Sequence, residues 1–285
     1  MLAIDSLDYG RRENLDLSDA DIHFEQLELR SGAGERLLGL LKGVDYVFHL
    51  AAEKHNQSIN SPSRVLEANV IGTYELLRAG ADAGVKKIVF TSSLYAYGRM
   101  MGPPMTEDEA PAPQTVYGIS KLSGEHLCRY FCLQRGMPAA CLRLFFVYGP
   151  RQYAGLGYKS VIVKNFDRML KGHKPVICGD GNQELDYIYV DDVVSAMLLA
   201  MAGDDNFKVV NVGSGSAISI NQLTDLMMEV AGAKAGREFG PADFTHGSSR
   251  VASTKRFEDC FGVQARVPLR EGLRRTFEWM TSCPR

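Results

Sequence analysis

At 285 residues the chain can hold one large domain, or a core domain with a smaller lobe. Its formal net charge of -2 excludes a protein drawn by bulk charge to nucleic acid or to an anionic membrane, so neither is expected as a partner. No apolar run approaches the ~20 residues of a membrane helix. Met1 leads straight into Leu2-Ala3-Ile4-Asp5 with no basic segment and no cleavage site, which predicts a chain without a secretory leader.

In chain order, Val44 to Leu50 (VDYVFHL) is a short run rich in aromatic and β-branched residues, as a buried strand requires. Ser61-Pro62-Ser63 then opens a helix over Val65 to Ala83, with Val65, Ala68, Asn69, Gly72, Leu76 and Leu77 at helical spacing and Gly84 behind it. Lys87 to Thr91 reads as a strand, Tyr117 to Arg135 as a long helix stopped by Gly136, and Ala139 to Phe146 as a strand again. This alternation predicts an α/β fold with a doubly wound parallel sheet. After Gly149-Pro150 the pattern changes. Helices at Val161–Leu170, Val190–Met201 and Ile220–Ala231 mix with short strands at Pro175–Cys178 and Val209–Val212, between Gly/Ser-rich turns. Residues 1–150 are therefore expected to form the sheet domain. Residues 151–285 are expected to form mainly a smaller α/β lobe that closes over the sheet's C-terminal edge, with some segments returning to the first domain.

The six cysteines, Cys128, Cys132, Cys141, Cys178, Cys260 and Cys283, are scattered. Cys128 and Cys132 would share a helix face, but no further ligands stand near them, so no metal is expected. Free, buried or half-buried thiols in a reducing cytosol are the expectation, and with them a cytoplasmic protein.

Tyr117 and Lys121 stand at i and i+4, on one face of the predicted helix. A free tyrosine ionises near ~10 and is a poor base at neutral pH. An adjacent ammonium favours the phenolate. Such a tyrosine can take a proton from a hydroxyl while hydride leaves the same carbon. The spacing alone is equally that of an amphipathic face. Upstream, however, a strand ends in Thr91-Ser92-Ser93, followed by Tyr97-Gly98, and a hydroxyl at that strand end can hold the reacting oxygen. His49 reads as a strand residue rather than a base, and Asp191 and Asp192 read as caps of the helix that follows.

The chain also carries HLAA at 49–52, NVIGT at 69–73, YGISK at 117–121, LRLF…VYGPRQ at 142–152, GDGNQ…DYIYVDD at 179–192 and NVGSG at 211–215. With these motifs it resembles the extended short-chain dehydrogenases/reductases, the NAD-dependent epimerase/dehydratase group that includes UDP-galactose 4-epimerase. The resemblance spans almost the whole chain. It implies a Rossmann-like sheet, a nucleotide-sugar substrate, NAD as cofactor and a homodimer joined through the helices that start near Val65 and Tyr117. In the second helix, Leu122, Leu127, Phe131 and Leu133 are the apolar residues available for that contact or for the core.

Residue by residue, the resemblance makes Tyr117 the catalytic base and acid. Lys121 holds the nicotinamide ribose and tunes Tyr117, and Ser93 bonds the reacting hydroxyl. Asp5 and Ser6 would take the adenosine ribose, and a carboxylate at Asp5 favours NAD over NADP. Glu28 and Leu29 would meet the adenine. Leu50, Ala51 and Ala52 would line the cofactor channel beside Lys54 and Asn69, and Leu144 would lie against the nicotinamide. Phe146, Arg151 and Arg250 are the candidate substrate contacts.

Three departures qualify the resemblance. The family opens with a strand, a Gly-rich turn and a helix whose N-terminus holds the pyrophosphate. Here Met1 falls at the second strand, so either the true start lies upstream, which is the expectation, or the form is truncated and binds NAD poorly. Second, Phe146 replaces the family's usual Asn and Leu185 its usual Arg, both of which touch the substrate phosphates. Each loss weakens that grip by roughly 1.5–3 kcal/mol, which Arg151 and Arg250 could offset. Third, family 4,6-dehydratases carry Asp-Glu directly after the catalytic hydroxyl residue, where this chain has Leu94 and Tyr95. Dehydration thus lacks its acid and base. The expected activity is epimerisation of a nucleotide sugar, at C4, through a 4-keto intermediate. A keto-sugar reductase or dehydrogenase, and a non-catalytic nucleotide- or partner-binding member, are the alternatives.

Overall fold

The computed structural model describes residues 1–98, 102–152, 160–234, 236–262 and 266–282. Cys283 lies outside them. The chain divides into two units. The first comprises Met1–Arg99, Ala110–Arg143 and Met197–Val210, and the second Met100–Glu109, Leu144–Ala196 and Asn211–Arg285.

In the first unit, strand β1 (Leu2–Asp5) pairs in parallel with β2 (His23–Gln26), Leu2 opposite His23 and Asp5 opposite Gln26. Helix α1 (Gly34–Leu40) follows, then β3 (Tyr46–His49). β3 pairs in parallel with β4 (Lys87–Ser93), and the sheet continues through β5 (Ala139–Leu144) to the strand Phe207–Val212. β1 and β3 belong to separate sheets. Leu37 from α1, Leu41 just after it, Ile88 and Phe90 from β4 and Phe131 and Cys141 nearby form one buried cluster, with Val47 packed against it. Tyr46, Phe48 and Leu50 alternate with Val47 and His49 and stay 54 %, 38 % and 56 % exposed. The sequence predicts this strand as buried. It is buried on the Val47 face only, because the helices of this core cover that face and the period-2 alternation turns the other three residues away from it.

The helix expected over 65–83 is present, but it is not a regular α-helix throughout and a short turn precedes it. α2 (Gln57–Asn60) comes first; then α3 (Pro62–Leu66) passes through a π turn at Glu67–Ile71 into α4 (Gly72–Ala83). The extra residue of the π turn lets Asn69 face inward, 2 % exposed. α5 (Val116–Arg135) matches its prediction. The Thr115 hydroxyl accepts from Gly118 N at 3.0 Å to start it, and Gly136 ends it in the left-handed region at φ 65°. Of its apolar residues, Phe131 is buried and Leu127 packs against the core, while Leu133 is 68 % exposed.

α5 lies very close to β4 and to the turn Leu94–Ala96 that follows it. A Cβ on Gly124 would stand 2.3 Å from Phe90 Cζ, and one on Gly118 would stand 2.3 Å from the Tyr95 carbonyl oxygen. Both positions therefore need glycine for the helix to approach.

The second unit has its own core, in which Tyr148, Phe166, Ile177, Leu185, Leu223 and Leu273 are buried together. The expected strand through Phe146 breaks after β5, and Phe146–Tyr148 pairs instead with Tyr187–Tyr189. Asp186 is fully buried. Its carboxylate accepts from Ser214 N at 2.7 Å, Ser214 Oγ at 2.6 Å, Gly215 N at 3.0 Å and Ala252 N at 3.1 Å, which fastens the NVGSG turn. Asp191 and Asp192 stand in the first turn of helix Val190–Ala202, where the sequence reads them as caps. Asp192 instead accepts from the backbone N–H groups of Arg266 and Val267, both at 3.1 Å, and so holds the entry to the last helix. The five described cysteines are free, as expected. Among the described residues, no helix is long and apolar enough to cross a membrane.

Gly124→Ala tests the α5–β4 approach. The added methyl must displace the buried Phe90 ring, so urea unfolding should show a loss of about 1–3 kcal/mol, and an unchanged midpoint would show that the helix can stand off.

Candidate active site

The last three residues of β4 each carry a hydroxyl, and each is buried: Thr91 at 7 %, Ser92 at 3 % and Ser93 at 6 % exposure. α5 meets them with a stripe at four-residue spacing, Tyr117, Lys121 and Glu125. The Tyr117 phenol is hydrogen-bonded to the Ser93 hydroxyl. Lys121 Nζ donates to the Thr91 carbonyl at 2.8 Å and stands 5.0 Å from the Phe90 ring centroid and 5.8 Å from that of Tyr117. Ser92 Oγ donates to Glu125, whose two carboxylate oxygens also accept from Arg143 Nε at 2.9 Å and Nη2 at 2.8 Å. The structure thus brings together Ser93, Tyr117 and Lys121, which the sequence singles out.

Burial sets the charges here. It lowers Lys121 to about 8, since an ammonium that gives up water is stabilised less. It also raises Tyr117 to about 12, against the opposing effect of the Ser93 hydrogen bond. The sequence reading has the ammonium lower the phenol. In the structure burial raises the phenol instead, and Tyr117 keeps its proton at neutral pH. His49 is 3 % exposed, shares a 2.8 Å hydrogen bond with Thr73 Oγ1, and is pushed down to about 3 by burial and then by Lys121. It is a neutral strand residue, as the sequence reading has it.

Around the phenol stand two further rings. Tyr95 and His55 stack at 4.2 Å and 20°, and their centroids lie 5.8 Å and 5.9 Å from that of Tyr117, both edge-on. Nothing in the sequence alone places His55 here. Leu94 is buried at 2 % exposure.

Of the residues assigned to the cofactor, Asp5 is exposed at the end of β1 and accepts from Leu7 N at 2.7 Å, while Ser6 Oγ accepts from Asp8 N at 3.3 Å. Leu50 and Ala51 are exposed beyond β3, and Ala52 is half-buried. Glu28 pairs with Arg30 at 3.4 Å, and the Leu29 backbone packs where a Cβ on Gly72 would lie. Lys54 Nζ covers the Tyr9 ring at 4.6 Å, and burial lowers its pKa. Tyr9 donates to Glu53 Oε2 at 3.1 Å and accepts from Gln57 at 2.7 Å, and Arg64 bonds both Glu53 and Asp8. The loop after β1 is thereby tied to the segment after β3, a link the sequence does not show. Asn69 clamps that same segment: its Oδ1 accepts from Glu53 N at 2.7 Å, and its Nδ2 donates to Glu53 O and to Ser120 Oγ, both at 3.0 Å.

Leu144, Phe146, Arg151 and Arg250 belong to the second unit. Leu144 is half-buried. Phe146 packs on Tyr187 at 5.6 Å. Arg151 is exposed with φ 64°. Arg250 donates to Ser248 Oγ and to the Phe244 carbonyl, both at 3.1 Å, and covers the Phe244 ring. Leu185 is buried at 3 % exposure.

Known proteins are similar to this chain in sequence and fold. Residues 1–213 match the model of the NAD dependent epimerase/dehydratase family. A solved UDP-N-acetylglucosamine 4-epimerase from Methanobrevibacter ruminantium, in complex with UDP-N-acetylmuramic acid, is similar at 31 % identity and a TM-score of 0.93, covering 99 % of this chain and 90 % of that one. The UDP-glucose 4-epimerase of Thermotoga maritima, solved with UDP-glucose, is similar at 34 % identity and a TM-score of 0.91, covering 98 % of this chain and 90 % of that one. A dTDP-glucose 4,6-dehydratase from Streptomyces griseus is 30 % identical over 97 % of this chain and 84 % of its own. The relatives thus include both epimerases and dehydratases, all on the Rossmann-like α/β fold the motifs imply, and the chain belongs to the NAD-dependent epimerase/dehydratase family.

Proposed function

We propose that the chain is an NAD-dependent nucleotide-sugar epimerase that inverts a carbinol, at C4, through a transient keto sugar. The observation that carries this reading is the Tyr117 phenol hydrogen-bonded to Ser93, one turn from buried Lys121, with Leu94 and Tyr95 next along the chain. A carbinol oxidation needs a proton acceptor at the hydroxyl and nothing at the neighbouring carbons. An elimination needs an acid and a base there as well. The two positions that carry carboxylates in 4,6-dehydratases hold here a buried leucine and a tyrosine stacked on His55.

The residues fit NAD. Lys121 commits one proton to Thr91 O, which leaves two donors of its ammonium for a pair of ribose hydroxyls. Asp5 offers an exposed carboxylate at the end of a parallel strand, where ribose hydroxyls are bonded and a 2′-phosphate is repelled. Leu50 and Ala51 present apolar surface beyond the next strand. NAD, when bound, supplies a reversible hydride acceptor and, oxidised, a positive charge. Ser93 holds the reacting oxygen, and Tyr117 takes its proton and returns it. Because burial holds the phenol near 12, Tyr117 becomes a base only where a positive charge stands against it. The planar carbonyl that results can present its other face before the proton and hydride return, which is inversion.

A homodimer fits the same reading. The helix that runs through the π turn leaves Ile71 and Tyr74 39 % exposed, and α5, which packs beside it, leaves Tyr130 and Leu133 55 % and 68 % exposed.

The purified protein should interconvert the C4 epimers of one of UDP-glucose, UDP-N-acetylglucosamine, UDP-glucuronate or dTDP-glucose, without net NADH. Tyr117→Phe should lower kcat by about 10²–10⁴-fold with binding retained. No interconversion would sink the reading; net consumption of external NAD(P)H would replace it with a keto-sugar reductase, and binding without turnover with a non-catalytic protein. A second measurement concerns pH. The folded-state pKa of Lys121, about 8, lies below its unfolded value, so between them the unfolded chain binds more protons and stability rises with pH. Chemical denaturation from pH 8 to 10 should show that rise in the wild type and lose it in Lys121→Met; equal slopes would place the lysine in water.

A further inference from the structure

Glu125 and Arg143 form a bidentate ion pair with side chains 5 % and 4 % exposed. Such a pair is a poor source of stability, because two charges must be stripped of water to make it. What it secures is geometry. The carboxylate of Glu125 stands on α5, Arg143 on β5 and Ser92 on β4, and all three meet at one group. Ser92 lies between Thr91, whose carbonyl holds Lys121, and Ser93, whose hydroxyl holds Tyr117. The Glu125 oxygen that accepts from Ser92 also accepts from Arg143 Nε, so its direction is set from β5. Arg143 is in turn seated on the Tyr97 ring at 4.4 Å, in the turn that follows β4. The opposite charges of the pair nearly cancel at a distance, so its effect on the site passes through Ser92 rather than through a field.

We propose that Glu125, anchored by Arg143, is a positioning residue that acts through Ser92: it fixes the end of β4 so that Thr91 O and Ser93 Oγ stay in reach of Lys121 and Tyr117. The proposal rests on the reading of Ser93, Tyr117 and Lys121 as the reaction centre. Ser92→Ala removes only the link and leaves the buried pair intact. In the full chain this variant should lower kcat by about tenfold or more, because small misplacements of reacting groups are expensive, while KM for the nucleotide sugar moves less than about threefold. Ser92→Thr, which keeps the hydroxyl, should recover most of the rate. Independently of turnover, ¹³C-lysine NMR of the ligand-free protein, with the signal assigned by Lys121→Met, should show Lys121 falling further below about 8 in Ser92→Ala, because the bond to Thr91 O that favours its ammonium loosens while the side chain stays buried. Wild-type kcat with an unshifted Lys121, even with a lowered Tm, would overturn the proposal and leave a structural role only. If the wild type turns over no nucleotide sugar, the epimerase reading falls, and the Lys121 titration alone still decides whether Ser92 positions the strand end.

Discussion

The close approach of α5 to β4 is the constraint on which the candidate site depends. Two glycines, Gly118 and Gly124, let the helix axis come near enough for side chains at four-residue spacing to reach the strand's final residues. Tyr117 meets Ser93, Lys121 meets the Thr91 carbonyl and Glu125 meets Ser92. The same approach removes water. Lys121 is pushed down, Tyr117 up and His49 to its neutral form by one cause, the loss of hydration on each charged state. Geometry and titration are therefore two consequences of one packing arrangement.

That arrangement sets the charge states of the two groups. A phenol near 12 holds its proton at neutral pH, and a lysine near 8 remains mostly charged there. Lys121 cannot by itself make Tyr117 a base, because its ammonium is directed at a backbone carbonyl and burial works against the phenolate. A positive charge introduced beside the phenol acts in surroundings of low polarity, where its influence is greater than in water. On the proposed function, proton abstraction is thus tied to occupancy of the site.

Much of this was legible in the residues. α5, with its Thr115 start and Gly136 stop, follows from local rules, and so do the helices Val161–Leu170 and Ile220–Ala231. Tyr117 and Lys121 are readable because a helix fixes their spacing. What escaped depends on distant partners. Glu125 sits one further turn along the same stripe, yet its meaning comes only from Ser92 and from Arg143, 18 residues on. Asn69 looked like part of a regular helix, and the π turn that directs it inward has no local sequence mark. The exposed face of β3 was missed because VDYVFHL has the composition of a strand covered on both sides. Asp192 looked like a cap because an acidic residue early in a helix usually is one; its bonds to Arg266 and Val267 span more than 70 residues.

On the proposed function, the second unit bears on substrate recognition through what it withholds. Leu185 is part of an apolar core, and Phe146 packs on Tyr187, so neither offers a donor to a phosphate. The neighbouring Asp186 is used internally, as a cradle for the backbone of Ser214, Gly215 and Ala252. Two donors of Arg250 are held by Ser248 and the Phe244 carbonyl. A guanidinium fixed in this way keeps a defined direction, and a fixed donor loses less entropy on meeting an anion than a free side chain does. Recognition of a diphosphate by this unit would therefore rest on few, oriented contacts rather than on many. On the proposed function, selectivity among nucleotide sugars then falls more heavily on the groups around the reacting carbon, where Leu94 and Tyr95 stand in place of two carboxylates and His55 stacks on the Tyr95 ring.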